Sequence, residues 1–242
     1  MYAAGDNPAA TERAMDFIFM LTRNDRTVED AGCLVDQVCE LGVTHVGFKD
    51  VGVPAATMRE LVAMIRERGG TCYLEVVSTT PEAMIRSLET GLALGVDRIL
   101  GGTDLPAAQR ILGDLSGYFP FPGRPIGHPT QLEGSAALVA EHCATARAMG
   151  CGGVDLLAYR ATQADPLDLV RAARGALAGG RLIVAGSVKS GGQIRALAEA
   201  GADAFTIGSA ALDGSFSPAK GSFRGQILDI IEACDKASSL AA

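Results

Sequence analysis

The chain has no tryptophan, three histidines and only four lysines (Lys49, Lys189, Lys220 and Lys236) against seventeen arginines. The histidines are too few and too scattered for a metal-ligand pattern. The six cysteines (Cys33, Cys39, Cys72, Cys143, Cys151, Cys234) contain no CxxC pair, so no metal is expected. Thiols scattered in this way fit small buried hydrophobes in a reducing compartment. The shortage of positive charge leaves a net charge of −7. That argues against a general nucleic-acid binder, because a phosphate backbone needs a basic surface. No apolar run reaches about 18 residues, so no membrane span is expected. No basic-then-apolar leader opens the chain, and the expectation is a cytoplasmic protein.

What the chain does have is core material. It is 48% hydrophobic, with a mean hydropathy of +0.22 over 242 residues. This suits one large core and the length of a single barrel domain, about 250 residues. Short apolar runs alternate with helical patterns. Strands are expected at 17–21, 45–48, 72–77, 98–100, about three residues near Tyr118, 153–158, 182–185 and 204–207. Helices are expected to start at Thr27, about Pro54, Pro81, about Ser135, Pro166, about Gln193 and about Arg224. Residues 1–13 read as a polar lead-in. Pro120 and Pro122 cut the fifth strand short, and a stiff loop should follow to Gly134, carrying Arg124 and His128. Leu94-Gly95-Val96-Asp97 and Ala200-Gly201-Ala202-Asp203 each end a helix and begin a strand, as does Leu41-Gly42-Val43-Thr44. Gly152-Gly153-Val154-Asp155 falls near the remaining place in that repeat, whose spacing of about 50 residues is two βα units. Eight such units form either a closed barrel or an open doubly wound sheet.

The stretch Arg181 to Leu212 tips the choice toward the barrel. It reads as strand, glycine-rich turn, helix, strand and a second small-residue turn. Main-chain N–H groups in such turns attract anions. Its pattern, Val184-Ala185-Gly186-Ser187-Val188, then Ala200-Gly201-Ala202-Asp203, then Ile207-Gly208-Ser209-Ala210, resembles the last two βα units of the ribulose-phosphate-binding barrels. Ser187 stands where that superfamily usually has a second glycine. The resemblance implies a (β/α)8 barrel, an α/β fold in one domain over residues 1–242. It also implies a phosphate held by Gly186, Ser187, Gly208 and Ser209. It names no reaction. The strand-end histidines of the pentulose-phosphate epimerases and the paired aspartates of the histidine-biosynthesis isomerase have no counterparts here.

Barrel chemistry sits at the C-terminal strand ends. Lys49 ends an apolar strand in a lysine-poor chain, which suits either a Schiff-base nucleophile or a charged electrophile. Asp50 and Glu75 beside it favour the charged form. Glu75 interrupts an apolar strand, so it is either a structural ion pair or an acid/base of raised pKa. His128 is the other acid/base candidate. Arg23, Asn24, Asp50, Asp104 and Arg160 are candidate substrate contacts. Asp25, Thr103 and Asp104 read more readily as turn or cap residues. These residues together suggest an enzyme of the isomerase, epimerase or aldolase-type lyase class, acting on a small phosphorylated sugar or keto acid without a cofactor. The rivals are a non-catalytic phosphate-ligand sensor on the same barrel, and a barrel binding flavin by its phosphate. A homodimer stays open.

Overall fold

The computed structural model describes residues 15–77 and 80–240. The lead-in expected over 1–13 lies outside them. Eight strands form one parallel sheet: β1 (Asp16–Met20), β2 (His45–Lys49), β3 (Thr71–Val76), β4 (Arg98–Gly101), β5 (Tyr118–Phe119), β6 (Gly153–Leu156), β7 (Arg181–Val184) and β8 (Ala204–Ile207). Their order is β6-β7-β8-β1-β2-β3-β4-β5. The first strand therefore pairs with the last, Phe17 beside Phe205 and Phe19 beside Ile207. The two edge strands meet as well. The Gly152 amide donates to the Leu115 carbonyl, and the Asp155 amide to the Pro120 carbonyl, each at 3.0 Å. The sheet thus closes on itself, and the open alternative falls away. Proline explains the weak point: Pro120 has no N–H for a ladder, so β5 stops after two residues.

Helices cover the outside: α1 (Ala31–Glu40), α2 (Ala55–Glu67), α3 (Pro81–Leu94), α4 (Leu105–Leu112), α5 (Ala136–Ala148), α6 (Pro166–Leu177), α7 (Gly191–Glu199), the single turn α8 (Ser209–Leu212) and α9 (Phe223–Leu240). Asp104, Ser135, Asp165 and Ser190 cap four of them, their side chains accepting from the first-turn amides. Strand periodicity sorts the residues. Ile18, Met20, Tyr73, Leu100, Phe119, Ile183 and Ala204 fill the barrel interior. Their neighbours along the strands, such as Phe19, Phe48, Leu74 and Phe205, pack outward with helix residues such as Leu34, Leu61 and Ile230.

The repeat has a mechanical meaning. Asp97 precedes β4, accepts from the Cys72 amide of β3 at 2.8 Å and pairs with Arg66 of α2 at 3.2 Å. Asp203 precedes β8, accepts from the Leu182 amide of β7 at 2.7 Å and pairs with Arg174 of α6, also at 2.7 Å. Each aspartate ties the start of the preceding strand to the end of the helix that leads into that strand. The structure corrects the third copy. Asp97, Asp203 and Gly152 each donate their amide to the preceding barrel strand or the turn before it. Asp155 is therefore three residues past the repeat position, inside β6.

Three other expectations are revised. The helix expected from Thr27 begins at Ala31, because Thr22–Arg23 and Arg26–Thr27 form a small antiparallel hairpin first. The loop after β5 holds a second hairpin, Arg124–Ile126 against Gln131–Glu133. Strand β6 stops at Leu156 and a 3-10 turn, Ala158–Arg160, follows. The cysteines are all free, but Cys33 is exposed and only Cys72, Cys143 and Cys234 are buried.

Candidate active site

The first hairpin sets the site. Asn24 and Asp25, at φ +50° and +57°, make its two-residue turn, a left-handed conformation that Asn and Asp tolerate best after glycine. Thr27 clamps the hairpin to the end of β2. Its hydroxyl donates to the Lys49 carbonyl and accepts from the Lys49 amide, both at 2.8 Å. The turn thereby lies over the C-terminal end of the barrel, with Asp25 directed at Lys49.

Lys49 is 4% exposed. Register places it beside Glu75 on β3, and both follow the inward-facing positions of their strands, Gly47 and Tyr73. Its Nζ lies 2.7 Å from Asp25 Oδ1 and 3.2 Å from Glu75 Oε1. Arg160, from the turn after β6, grips Asp25 with both arms: Nη1 donates to Oδ2 at 3.1 Å and Nη2 to Oδ1 at 3.0 Å. Burial by itself would raise the Asp25 pKa. The hydrogen bond from Arg160 and the charge of Lys49 outweigh it and hold the carboxyl far below its usual range. For Lys49, burial works against the charged form, but Glu75 and Asp25 overcome it, and the pKa lies above its usual 10.5. Lys49 is therefore an ammonium at neutral pH.

Beneath these groups Asp155 is fully buried, and neither carboxyl oxygen has a hydrogen-bond partner among the described residues. Desolvation, reinforced by the charge of Glu75, pushes its pKa well above the ordinary 3.8. An ionised carboxylate without donors would be very costly there, so Asp155 holds its proton. The two cations, Lys49 and Arg160, then balance the two anions, Asp25 and Glu75, and the cluster is electroneutral.

A cavity of about 290 Å³ opens above it. Asp25, Lys49, Glu75, Arg160 and Thr206 are on its lining, as are both closing turns, Gly186–Lys189 and Gly208–Ala210. Among the described residues, no main-chain acceptor takes the amides of Gly186, Ser187, Val188, Ser209 or Ala210. Two glycines are needed for shape. A Cβ on Gly186 would stand 2.4 Å from Arg160 Nε, and one on Gly208 would stand 2.7 Å from the Met20 and Thr22 carbonyl oxygens. Ser187 sits at φ +61°, strained for a serine and natural for the glycine that the resemblance expects there. Lys189, exposed at the rim, adds a cation that sequence reasoning left without a role.

Of the residues singled out from sequence, Lys49, Glu75, Arg160, Gly186, Ser187, Gly208 and Ser209 share this cavity. The others lie elsewhere. His128 is exposed at the tip of the second hairpin, between Ile126 and Gln131. Asp104 caps α4, accepting from the Ala107 amide at 2.9 Å. Asp50 accepts from the Ser87 hydroxyl on α3. Arg23 donates to the Leu212 carbonyl at 2.8 Å, and Asn24 is exposed beside it. Sequence reasoning passed over Asp25 as a turn residue and Asp155 as part of a repeat. The signal for Asp155 was present: a carboxylate inside an apolar strand, as at Glu75. Among the described residues, no three His, Cys, Asp or Glu side chains gather as metal ligands, and no helix is long and apolar enough to cross a membrane.

Fold and site together define a (β/α)8 barrel with a charged cavity at its C-terminal mouth. No family model matches the chain, and no curated relative does. Solved structures do. Orotidine 5′-phosphate decarboxylase from Pyrococcus horikoshii OT3 matches with TM-score 0.64 at 14% identity, over 90% of this chain and 98% of that one. Thiamine phosphate pyrophosphorylase from Pyrococcus furiosus matches with TM-score 0.61 at 14% identity, over 94% and 99%. A third match is (S)-3-O-geranylgeranylglyceryl phosphate synthase from Thermoplasma acidophilum with sn-glycerol-1-phosphate, at TM-score 0.58 and 13% identity, over 93% and 95%. The resemblance read from the two closing turns thus holds at the level of the fold.

Proposed function

We propose that this protein is an enzyme acting on a small phosphorylated sugar or keto acid through an enolate-type intermediate. The observation that carries the reading is one juxtaposition: an ammonium held between Asp25 and Glu75 faces a cavity rimmed by both glycine-containing turns. The phosphate rests on the amides of Gly186, Ser187, Gly208 and Ser209, with Lys189 as an added cation. The names of all three neighbours include a phosphate ester, which supports a phosphorylated substrate for this chain.

With the phosphate held there, the rest of the molecule lies over β2 and β3. Glu75 removes a proton from the carbon next to a carbonyl. The electron pair of that C–H bond moves onto the carbonyl oxygen, and the Lys49 ammonium stabilises the negative charge. Where the deprotonated carbon bears a hydroxyl, transfer of that hydroxyl's proton to the enolate oxygen and return of the first proton to the former carbonyl carbon give an isomer; return to the opposite face of the original carbon gives an epimer. The charged state of Lys49 favours this electrophilic role over attack on the carbonyl, which needs a free amine. Asp25 and Arg160 fix the ammonium in place.

The test is incubation with a panel of phosphorylated keto sugars and keto acids in D2O, followed by NMR, with parallel borohydride treatment. Deuterium at the carbon beside the carbonyl, without a reduced adduct at Lys49, is the expected result. An adduct selects an imine-forming lyase. Tight binding with neither result overturns the enzymatic reading in favour of a sensor.

A further inference from the structure

The charged cavity occupies only part of the barrel mouth. Val77, Gly102 and Phe121 each lie two residues beyond an inward-facing residue, Glu75, Leu100 and Phe119 respectively. They follow the C-terminal ends of β3, β4 and β5. A second cavity, of about 340 Å³, lies over these three strands, with Pro81, Met84 and Pro125 completing its apolar wall. The two cavities adjoin. Glu75 lines one and Val77 the other, about 7 Å along the same strand. Arg160 lines the charged cavity and donates from Nη1, at 3.2 Å, to the carbonyl of Thr130, which lines the apolar one.

We propose that the substrate is a phosphate monoester whose far end is an uncharged, largely apolar group seated in this second cavity. The proposal rests on reading the closing turns as a phosphate site. The ionisable lining residues here are Asp104, engaged as a helix cap, and Arg124, exposed on the hairpin that forms the outer wall. The other polar lining residues are Thr80 and Thr103, exposed at the rim with Asp104 and Arg124, and the buried Thr130. A charged or hydroxyl-rich end would therefore lose its hydration against Val77, Met84 and Phe121 for few partners in return. A cavity of roughly 150 Å³ already accepts benzene, so the space takes a ring with substituents or a branched chain. The reacting carbon then falls between the two halves, over Lys49 and Glu75.

The experiment is calorimetric titration of the full chain with inorganic phosphate, glycerol 1-phosphate and phenylalkyl phosphates of two to five methylenes. Inorganic phosphate should bind, and the best phenylalkyl ester should bind at least about tenfold tighter than glycerol 1-phosphate. Thr103, exposed at the cavity edge, allows a variant that fills the space and leaves the core untouched. Thr103→Trp should erase the phenylalkyl gain and leave the affinity for inorganic phosphate unchanged. Pro125→Glu, which puts a carboxylate on the wall, should do the same. Phosphate binding with no phenylalkyl gain at any chain length overturns the apolar subsite alone. A gain that survives both variants overturns it too, because the ring then sits elsewhere. Failure of inorganic phosphate to bind overturns the phosphate reading and this inference with it.

Discussion

The two ends of the barrel carry similar charges in opposite settings. At the N-terminal end, Asp16 pairs with Arg181, and His45 Nε2 lies 3.7 Å from Asp16 Oδ1; both partners in the Asp16–Arg181 pair are 32% exposed. His45 Nδ1 lies 3.0 Å from the Tyr73 hydroxyl. Water reaches and screens the Asp16–Arg181 pair on this barrel floor, although Arg181 Nε is buried without a partner among the described residues and burial lowers the His45 pKa. At the C-terminal end, the Lys49 side chain is 4% exposed and that of Asp25 7%. Two cations, two carboxylates and a protonated acid lie together there, under a cavity. Pairs taken so far out of water are seldom a net gain in stability. The expensive set is the one that the proposed function assigns to chemistry.

That comparison can be tested by breaking each end in turn. The largest effect should come from Lys49→Met. Isotope exchange into a substrate found by the panel should fall by about 10²–10⁴-fold, the range for losing one electrostatic or proton-transfer group, while circular dichroism stays native. Asp25→Ala leaves Lys49 and Arg160 without their shared anion. It should cost about 3–5 kcal/mol in urea unfolding, as breaking one partner of a buried pair does. A loss under 1 kcal/mol would mean that the cluster is better solvated than its burial implies.

Asp155→Asn gives a smaller effect with a distinctive sign. Because the folded protein raises this carboxyl's pKa, it keeps a proton that the unfolded chain has lost. The wild type must therefore lose stability as pH rises above the ordinary 3.8 toward the folded value. The asparagine variant lacks that dependence. Its stability relative to wild type should increase from pH 4.5 upward by about 1.4 kcal/mol per pH unit until the folded pKa is reached, about 3 kcal/mol by neutral pH. A constant difference across that range would show that Asp155 is ionised. Asp25, whose pKa is depressed, contributes in the other direction: its stability is present above about 3.8 and lost as pH falls below it. The smallest effect belongs to the barrel floor. Asp16→Asn should change stability by no more than about 1 kcal/mol and leave exchange untouched.

Most of the strands and both closing turns were legible from sequence because each depends on neighbours along the chain. The break it makes in the apolar run of β3 exposed Glu75, and scarcity marked Lys49. The errors have physical causes. The hairpin at Thr22–Thr27 is pinned by the Thr27 hydroxyl to the backbone of Lys49, a contact across twenty-two residues that no local pattern carries. His128 attracted notice as an acid/base type on a loop, but the pairing of Arg124–Ile126 with Gln131–Glu133 turns it to solvent. Asp155 was misassigned because a Gly-x-Asp pattern and a Gly-Val-Asp strand look alike, and only β-sheet register separates them.

The amino-acid order by itself determined the alternation of strand and helix, the inward and outward faces, and two turns built for close approach, since these follow from periodicity and from the freedom of glycine. Only the tertiary structure decided which carboxylates would meet Lys49. Asp25 and Arg160, 135 residues apart, face one another because the sheet closes into a ring. Closure brings distant strand ends to one mouth, and that distance is invisible to any window of sequence.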